Sequence, residues 1–137
     1  MYHKVKVRNL KGETTWRAPS PERMLAELDD MHEMYGISSF MFYDDELNVN
    51  PKLVDLLNGI SQLQERLGVD FRLRGFVKAE LFKPEQAQAL YRSGFRWLLT
   101  GFESGSPRIL KNINKRATRD DNNRAVEIAR HAGLKIK

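Results

Sequence analysis

Apolar and polar residues alternate along the chain in blocks that predict helices followed by strands. Leucine and isoleucine recur with the helical period over residues 53–67, and a second stripe of that period contains Met24, Leu28, Met31 and Tyr35. Each helical block ends at a glycine, which adopts the left-handed conformation of a helix end without steric cost. The four junctions between a helix and an apolar run are Tyr35-Gly36, Leu67-Gly68, Ser93-Gly94 and Ala132-Gly133.

The runs after these glycines predict four strands, at residues 37–43, 69–77, 95–100 and 134–137. Strands separated by helices form parallel sheets with right-handed crossovers, so the predicted fold class is α/β. The first and third runs are rich in apolar and aromatic residues, which favours strands covered on both faces. The lengths fit both a doubly wound sheet and part of a (β/α) barrel, and periodicity does not distinguish them.

The predicted helices begin with residues that favour a helix start. Ser20-Pro21, Asn50-Pro51 and Ser106-Pro107 each place a capping side chain before a proline. Thr118 followed by Asp121 resembles a capping box. The chain therefore contains helix starts as well as helix ends at the expected places.

Composition narrows the classes of function. The 137 residues suit a single domain, 1–137, and the net charge of +5 comes from cations spread along the chain, so nucleic-acid binding is not expected. With no cysteine, the chain cannot form disulfides, thiolate zinc sites or an iron-sulfur cluster on its own thiolates. The N-terminal residues resemble neither a signal peptide nor a membrane helix, so we expect a cytoplasmic protein without a membrane partner.

Polar residues follow three of the predicted strands, at the edge where parallel folds gather functional groups. Asp44, Asp45 and Glu46 could bind a cation or a ligand ammonium group, or form a solvated turn. The loop 101–106 could approach a ligand closely, or could serve only as a capped helix start. The three histidines are far apart in sequence and form no metal-binding pair of helical spacing.

Four stretches together resemble the radical S-adenosylmethionine (SAM) superfamily, especially the branch that often carries a cobalamin-binding domain. Each stretch is weak alone, but their order and spacing match the family over nearly the whole chain. They are Arg17-Ala18-Pro19-Ser20-Pro21-Glu22-Arg23, then Phe42-Tyr43-Asp44-Asp45 with Asn50, then Lys78-Ala79-Glu80-Leu81 with Lys83-Pro84-Glu85, and Gly101-Phe102-Glu103-Ser104-Gly105-Ser106 leading to Asn114-Lys115 and Thr118.

The resemblance implies a partial (β/α)6 barrel in which a 4Fe-4S cluster binds SAM and cleaves it reductively to a 5'-deoxyadenosyl radical. The family's cluster loop, CxxxCxxC, is absent, and the chain resembles the middle of a barrel, about strands two to five. We therefore expect an internal fragment of an Fe-S oxidoreductase or methyltransferase that does not catalyse alone. Its parent would act on a small-molecule substrate with SAM, the cluster and, in this branch, cobalamin as cofactors.

The resemblance also nominates cofactor-binding positions, with no catalytic residue and no metal ligand in this chain. Tyr43, Asp44 and Asp45 occupy the place where the family contacts the methionine amino group of SAM, and a carboxylate there suits that charge. Lys78 replaces a frequent family arginine. The segment that lies against the cofactor in the family corresponds here to Glu103, Ser104 and Ser106.

Two other classes of function remain open at this point. The chain could be a cluster-free module that binds a nucleotide or a partner on the same scaffold, or an RNA-associated piece similar to the methylthiotransferases. A barrel core without its flanking strands would have two open sheet edges. We therefore expect the isolated chain to self-associate as a homo-oligomer or to be poorly soluble.

Overall fold

The computed structural model describes residues 19–43 and 46–137, together with the backbone of two short strands before them. These strands, β1 (Val7–Arg8) and β2 (Thr14–Thr15), pair in the antiparallel sense with Val7 opposite Thr15. Asp44 and Asp45, two of the nominated residues, lie outside the described part of the chain.

From residue 19 onward helices and strands alternate, as the apolar pattern predicts. The helices are α1 (Pro21–Tyr35), α2 (Leu53–Leu67), α3 (Pro84–Arg92), α4 (Pro107–Asn112) and α5 (Arg119–His131). The strands are β3 (Ser39–Phe42), β4 (Arg72–Phe76), β5 (Phe95–Leu99) and β6 (Lys135–Ile136). Short 3-10 turns at Leu47–Val49 and Ala79–Leu81 follow β3 and β4.

The four later strands form one parallel sheet in sequence order, β3-β4-β5-β6, which confirms the α/β class. In a doubly wound sheet the strand order reverses and helices cover both faces. Here the order does not reverse, and the helices pack side by side, α1 on α2, α2 on α3 and α3 on α5. This arrangement is the one expected of a partial (β/α) barrel.

The prediction that the first and third apolar runs form strands covered on both faces is wrong for the third run, β5. Phe95 and Leu98 are buried against the helices, whereas Trp97 points the other way and is exposed. The sequence of β5 is apolar for two reasons. Large apolar side chains occupy its helix-covered face, and Trp97 adds an exposed aromatic ring on the opposite face. On this opposite side, which no helix of the described residues covers, Arg72, Arg74 and Trp97 are exposed, and we call it the open face of the sheet.

The core lies between the sheet and the helices, and α2 is its central helix. The predicted stripe of α2 is buried from Leu53 to Leu63, with Leu67 partly exposed. The predicted stripe of α1 is wrong in its second half, since Met31 and Tyr35 are exposed. Met24 and Leu28 of the predicted stripe do face the core, and α1 also turns Pro21, Leu25 and His32 inward.

The face of α1 is set by a close contact that its own periodicity does not reveal. Leu25 packs against Gly59 of α2, where an added Cβ would come within 2.5 Å of the Leu25 side chain. At the end of α1, the His32 ring lies edge-on to Phe71 at a centroid distance of 5.9 Å, and its Nδ1 is 3.0 Å from the carbonyl oxygen of Ile37. Packing against α2 and against Phe71, just before β4, therefore turns the second half of the buried stripe away from Met31 and Tyr35.

The predicted helix ends are confirmed, and two of the four predicted capping side chains are confirmed at the helix starts. All four junction glycines have positive φ. Ser20 Oγ accepts the backbone N–H of Arg23, and Thr118 and Asp121 form the reciprocal capping box. The two exceptions are Asn50 and Ser106. Asn50 accepts the N–H of Lys52 in a turn, so α2 begins at Leu53, and the Ser106 side chain does not cap α4.

Within the described residues, none of the helices is long and apolar enough to cross a membrane.

Candidate functional site

The carboxyl ends of β3, β4 and β5 lie at one edge of the sheet, because the strands are parallel and in register. Tyr43 directly follows β3 and its side chain is 77% exposed. Lys78 comes two residues after β4, and the loop 101–106 comes two residues after β5. The fold therefore brings Tyr43, Lys78 and the loop 101–106 to a common carboxyl edge.

Lys78 is the most firmly held of the nominated residues. Its backbone N–H donates to Asn48 Oδ1 at 2.8 Å, and its carbonyl accepts from Asn48 Nδ2 at 2.9 Å. Asn48 is itself buried. Its side chain thus joins the turn after β3 to the end of β4 by two hydrogen bonds, which fix the backbone position of Lys78. We call this pair of hydrogen bonds the clamp of Asn48.

The ammonium group of Lys78 lies between two carboxylates. Its Nζ is 3.4 Å from Glu46 Oε1 and 3.5 Å from Glu80 Oε1. The three side chains are partly shielded from solvent, so their attraction is stronger than that of a fully exposed pair. The edge therefore presents carboxylate oxygens and an ammonium group side by side, which suits a ligand with both charges.

Glu103 contributes a second ion pair at the same edge. Its Oε1 is 3.3 Å from Lys115 Nζ. The backbone φ of Glu103 is 59°, in the left-handed region, which is unfavourable for residues other than glycine. This pair passes over Gly101, where an added Cβ would lie 2.8 Å from Glu103 Oε1 and 3.1 Å from Lys115 Nζ. Glycine at this position makes room for the pair.

The loop after Glu103 is shaped by short hydrogen bonds. Ser104 Oγ accepts the backbone N–H of Ser106 at 3.0 Å, and the carbonyl of Phe102 accepts from Asn122 Nδ2 at 3.2 Å. Ser106 precedes α4 but its hydroxyl does not cap that helix. Asn122 is buried, and its Oδ1 has no hydrogen-bond partner among the described residues.

A small cavity at this edge connects the two ion-pair groups. Its volume is about 50 Å³, and its lining includes Glu46, Lys78, Glu80, Gly101 and Lys115. Such a space is large enough for water but not for a cofactor. Of the nominated residues that the structure describes, Lys78 lines this cavity. Glu103 contacts the lining residue Lys115 through its ion pair, whereas Tyr43, Ser104 and Ser106 lie outside the lining.

Three residues of the edge were missed by the sequence reasoning: Asn48, Asn122 and, as a partner of Glu103, Lys115. Asn122 lies in α5, where a better helix former would be expected, whereas Asn48 lies in a turn, where asparagine is common and gives no signal. The residues of the described chain contain no group of three or more side chains that could hold a metal ion.

The chain belongs to the radical SAM superfamily, whose sequence model matches residues 3–137. It is 34% identical over 120 residues to an uncharacterized methyltransferase of Pyrococcus horikoshii, which covers 87% of this chain and 25% of the relative. It is also 38% identical over 88 residues to a bacteriochlorophyllide d methyltransferase of Chlorobaculum tepidum, covering 64% of this chain and 18% of the relative. The chain thus spans about a quarter or less of these relatives.

Solved structures of two radical SAM enzymes share the fold. The methyltransferase TsrM of Kitasatospora setae, solved with tryptophan and a SAM analogue, superposes with a TM-score of 0.70 at 21% identity, over 85% of this chain and 24% of that one. The cobalamin-dependent enzyme OxsB superposes with a TM-score of 0.73 at 19% identity, over 92% of this chain and 20% of that one. Both likenesses concern the fold, and they agree with the partial barrel described above.

Proposed function

We propose that this chain is the SAM-binding part of a radical SAM methyltransferase, a single domain over residues 1–137 that corresponds to about strands two to five of the barrel. The observation that carries the proposal is the carboxyl edge, where Lys78 and Glu103 are held beside further carboxylates and an ammonium group. The similarity to methyltransferases favours methyl transfer over other oxidoreductase chemistry for the parent protein.

The edge suits the charges of SAM. Its methionine part carries an ammonium group and a carboxylate, and each is bound best by a group of opposite charge. We assign the binding of the SAM ammonium group to Tyr43, Asp44 and Asp45. The next residue in the chain, Glu46, lines the cavity at the carboxyl edge. Lys78 would then pair with the carboxylate of SAM. Its ammonium group acts as a single point charge, because lysine lacks the planar fork of arginine.

The loop after β5 would lie against the remainder of SAM. Glu103 is fixed there by Lys115, and the Ser106 hydroxyl has no hydrogen-bond partner within the described residues. Ser104 shapes the loop by accepting the N–H of Ser106. In this assignment Glu103 and Ser106 contact the cofactor, while Ser104 positions them.

The residues of this chain do not fit a 4Fe-4S cluster. Such clusters are held by cysteine thiolates, and the sequence contains none. We therefore propose that the cluster ligands, and any cobalamin-binding residues, belong to other parts of a longer protein. The same is proposed for most contacts to a small-molecule methyl acceptor.

A cluster-free binding module is the second candidate, and the absence of cysteine favours it. The hydrogen bonds of Asn48 that position Lys78 require no metal ion. The edge could therefore bind SAM or another adenosine compound without iron. Saturable binding to an iron-free protein with no further coding sequence around it would support this candidate.

We also propose that the isolated 137-residue chain self-associates. In the described sheet, β3 and β6 each have a neighbour on one side only, and unpaired strand edges invite pairing with another chain. Light scattering should show oligomers or aggregates of the isolated chain, and a monomer at high concentration would contradict the proposal.

The decisive experiment for the function is to sequence the coding DNA on both sides of this segment. We expect three in-frame cysteines with CxxxCxxC spacing upstream of Met1. An in-frame start at Met1 and a stop after Lys137 would overturn the proposed enzyme and leave the binding module.

A further inference from the structure

Acidic and basic residues are separated along this chain. Residues 24–51 contain seven carboxylates and no lysine or arginine, whereas residues 105–119 contain five lysines or arginines and no carboxylate. The first segment includes most of α1, and the second includes all of α4 and the first residue of α5. The net charge of +5 conceals this separation, because the two segments partly offset each other. The molecule therefore has an acidic region and a basic region.

The basic segment combines its charge with an exposed apolar face. Ile109 of α4 and Ile113 at its end lie four residues apart, so they share one face of the helix, and they are 44% and 51% exposed. Leu110 is buried and holds the helix against the fold. Arg108 and Lys111 are exposed, and within the described residues their side chains have no ion pair or hydrogen bond. We call Arg108, Ile109, Lys111 and Ile113 the α4 surface.

The end of α1 has the opposite charge and a similar apolar content. Met34 and Tyr35 are 68% and 66% exposed, and Met31 is exposed one turn earlier. Asp30 and Glu33 are exposed among them, and neither carboxylate has an ion pair or hydrogen bond to any described residue. Clustered exposed apolar side chains mark interaction sites, whereas single ones are common on any surface. We call these five residues the α1 surface.

The α1 and α4 surfaces lie at opposite edges of the sheet. The last turn of α1 leads into β3 and therefore lies at the amino edge, whereas α4 follows the carboxyl end of β5. Around the sheet, α1 packs on α2, and α2 packs on α3. The two surfaces therefore do not meet within one molecule, and they can contact each other only between two copies of the chain.

A second copy fits both surfaces better than other anionic partners do. Single-stranded RNA binds basic grooves that contain aromatic side chains for base stacking, and residues 105–119 contain none. An anionic membrane attracts a basic, apolar helix, but it repels the carboxylates of α1. A second copy supplies carboxylates and exposed apolar side chains to α4, and it supplies cations and isoleucines to α1.

We propose that the α4 surface of one copy docks on the α1 surface of a second copy. Arg108 and Lys111 pair with the carboxylates of Asp30 and Glu33, and the two isoleucines pack on the exposed apolar side chains of α1. Because two different surfaces meet, the contact is heterologous, and each copy keeps a free surface to which a further copy adds. The surfaces are small, so the association is weak, with a Kd on the order of micromolar or higher.

This contact differs from the strand-edge pairing proposed above, because it uses neither β3 nor β6. It also does not depend on SAM binding or on the proposed reaction. Its strength depends on charge, so raising the salt concentration from about 0.05 M to about 0.5 M should weaken it several-fold. Strand pairing through backbone hydrogen bonds has no such dependence on the charges of α1 and α4.

The test is sedimentation velocity of the intact protein over a range of concentrations, with two charge-reversed variants. The α4 variant is Arg108→Glu with Lys111→Glu, and the α1 variant is Asp30→Lys with Glu33→Lys. Each brings like charges together, so we expect self-association to weaken at least about tenfold. The control variant, Lys83→Glu with Arg130→Glu, reverses two exposed charges elsewhere and should change it less than about twofold.

The decisive measurement mixes the α4 variant with the α1 variant. Opposite charges then face each other again at both kinds of contact, so the mixture should associate within about threefold of the unmodified protein. Each double substitution shifts the net charge of +5 by four, to +1 and to +9, so both proteins stay positive. Overall charge therefore does not explain a restored association. A mixture of the two folded variants that stays monomeric would overturn the proposal.

The apolar part of the contact has its own pair of variants. Ile109→Ser should weaken self-association about fivefold, whereas Leu81→Ser, which alters a side chain of similar exposure outside both surfaces, should leave it unchanged. Equal effects of these two substitutions would overturn the docking of α4.

Three further outcomes would also overturn the proposal. The first is an unmodified protein that stays monomeric at high concentration. The second is full self-association of the α4 variant, which would leave strand-edge pairing as its cause. The third is tighter binding of the unmodified protein to oligouridylate or to phosphatidylserine vesicles than to itself, which would assign the α4 surface to that partner.

Discussion

The carboxyl edge and the open face of the sheet both carry lysine or arginine, but they balance these charges differently. At the edge, Lys78 and Lys115 lie within ion-pair distance of carboxylates. On the open face, Arg72 and Arg74 have no such partner among the described residues. A balanced edge suits a ligand that carries both charges, as SAM does, whereas an unbalanced face suits an anion.

The largest expected effect distinguishes the two faces of β5. Leu98 is fully buried against the helices, so Leu98→Ala should lower the free energy of unfolding by about 2–5 kcal/mol. Trp97, its neighbour on the opposite face, is half exposed, so Trp97→Ala should cost less than about 1 kcal/mol. Urea unfolding of the two variants measures both. Equal losses would mean that the open face is covered in the protein.

A second prediction concerns the clamp that fixes Lys78. Asn48→Ala removes two hydrogen bonds and leaves the backbone groups of Lys78 without those partners, so stability should fall by about 1–3 kcal/mol. Asn58→Ala, at an exposed position of α2, is the control and should be neutral or slightly stabilising. If both variants unfold at the same urea concentration, the clamp does not hold the edge.

The helix junctions and the carboxyl edge also differ in how far the sequence predicts them. The glycine junctions and the parallel order follow from local rules, and both are confirmed at Gly36, Gly68, Gly94 and Gly133. The positions of Lys78 and Glu103 at one edge follow from the strand order. The clamp of Asn48 could not be predicted, because residues 30 positions apart meet only in the folded chain.

The second half of the buried stripe of α1 and the exposed face of β5 were predicted wrongly for a related reason. Periodicity shows that a helix or strand has an apolar side, but it does not show what packs there. The contact of Leu25 with Gly59 selects the face of α1, and the exposed Trp97 makes an uncovered strand look buried. Both depend on neighbours distant in sequence.

A third prediction compares two glycines of the loop after β5. Gly101→Ala should displace the ion pair of Glu103 and Lys115 and weaken SAM binding about tenfold. Stability should change little, since the atoms that must move are the ends of flexible side chains. Gly105→Ala meets nothing within 4 Å and should bind SAM normally. Similar affinity of the two variants, measured by titration calorimetry, would exclude a role for the Glu103 pair.

The smallest effect lies outside both regions, at the start of α5. Hydrogen bonds from the Thr118 backbone and hydroxyl lower the pKa of Asp121 below its usual value. Because the folded-state pKa is lowered, this contribution to stability is present above the unfolded pKa of about 3.9 and is lost as the pH falls through the lower folded value.

Asp121→Asn should therefore remove part of the acid sensitivity of folding below about pH 4. Urea unfolding measured between neutral and acidic pH gives the comparison. Parallel profiles for the variant and the unmodified protein would contradict the assigned cause of the pKa shift.

The central claim is that the carboxyl edge binds SAM, and titration calorimetry of the intact protein with SAM tests it most directly. Lys78→Met should weaken binding about tenfold, because it removes the charge assigned to the SAM carboxylate, while Lys83→Met, at an exposed position nearby, should change it less than about twofold. Equal weakening in both variants, or no binding of SAM by the unmodified protein, would contradict the claim.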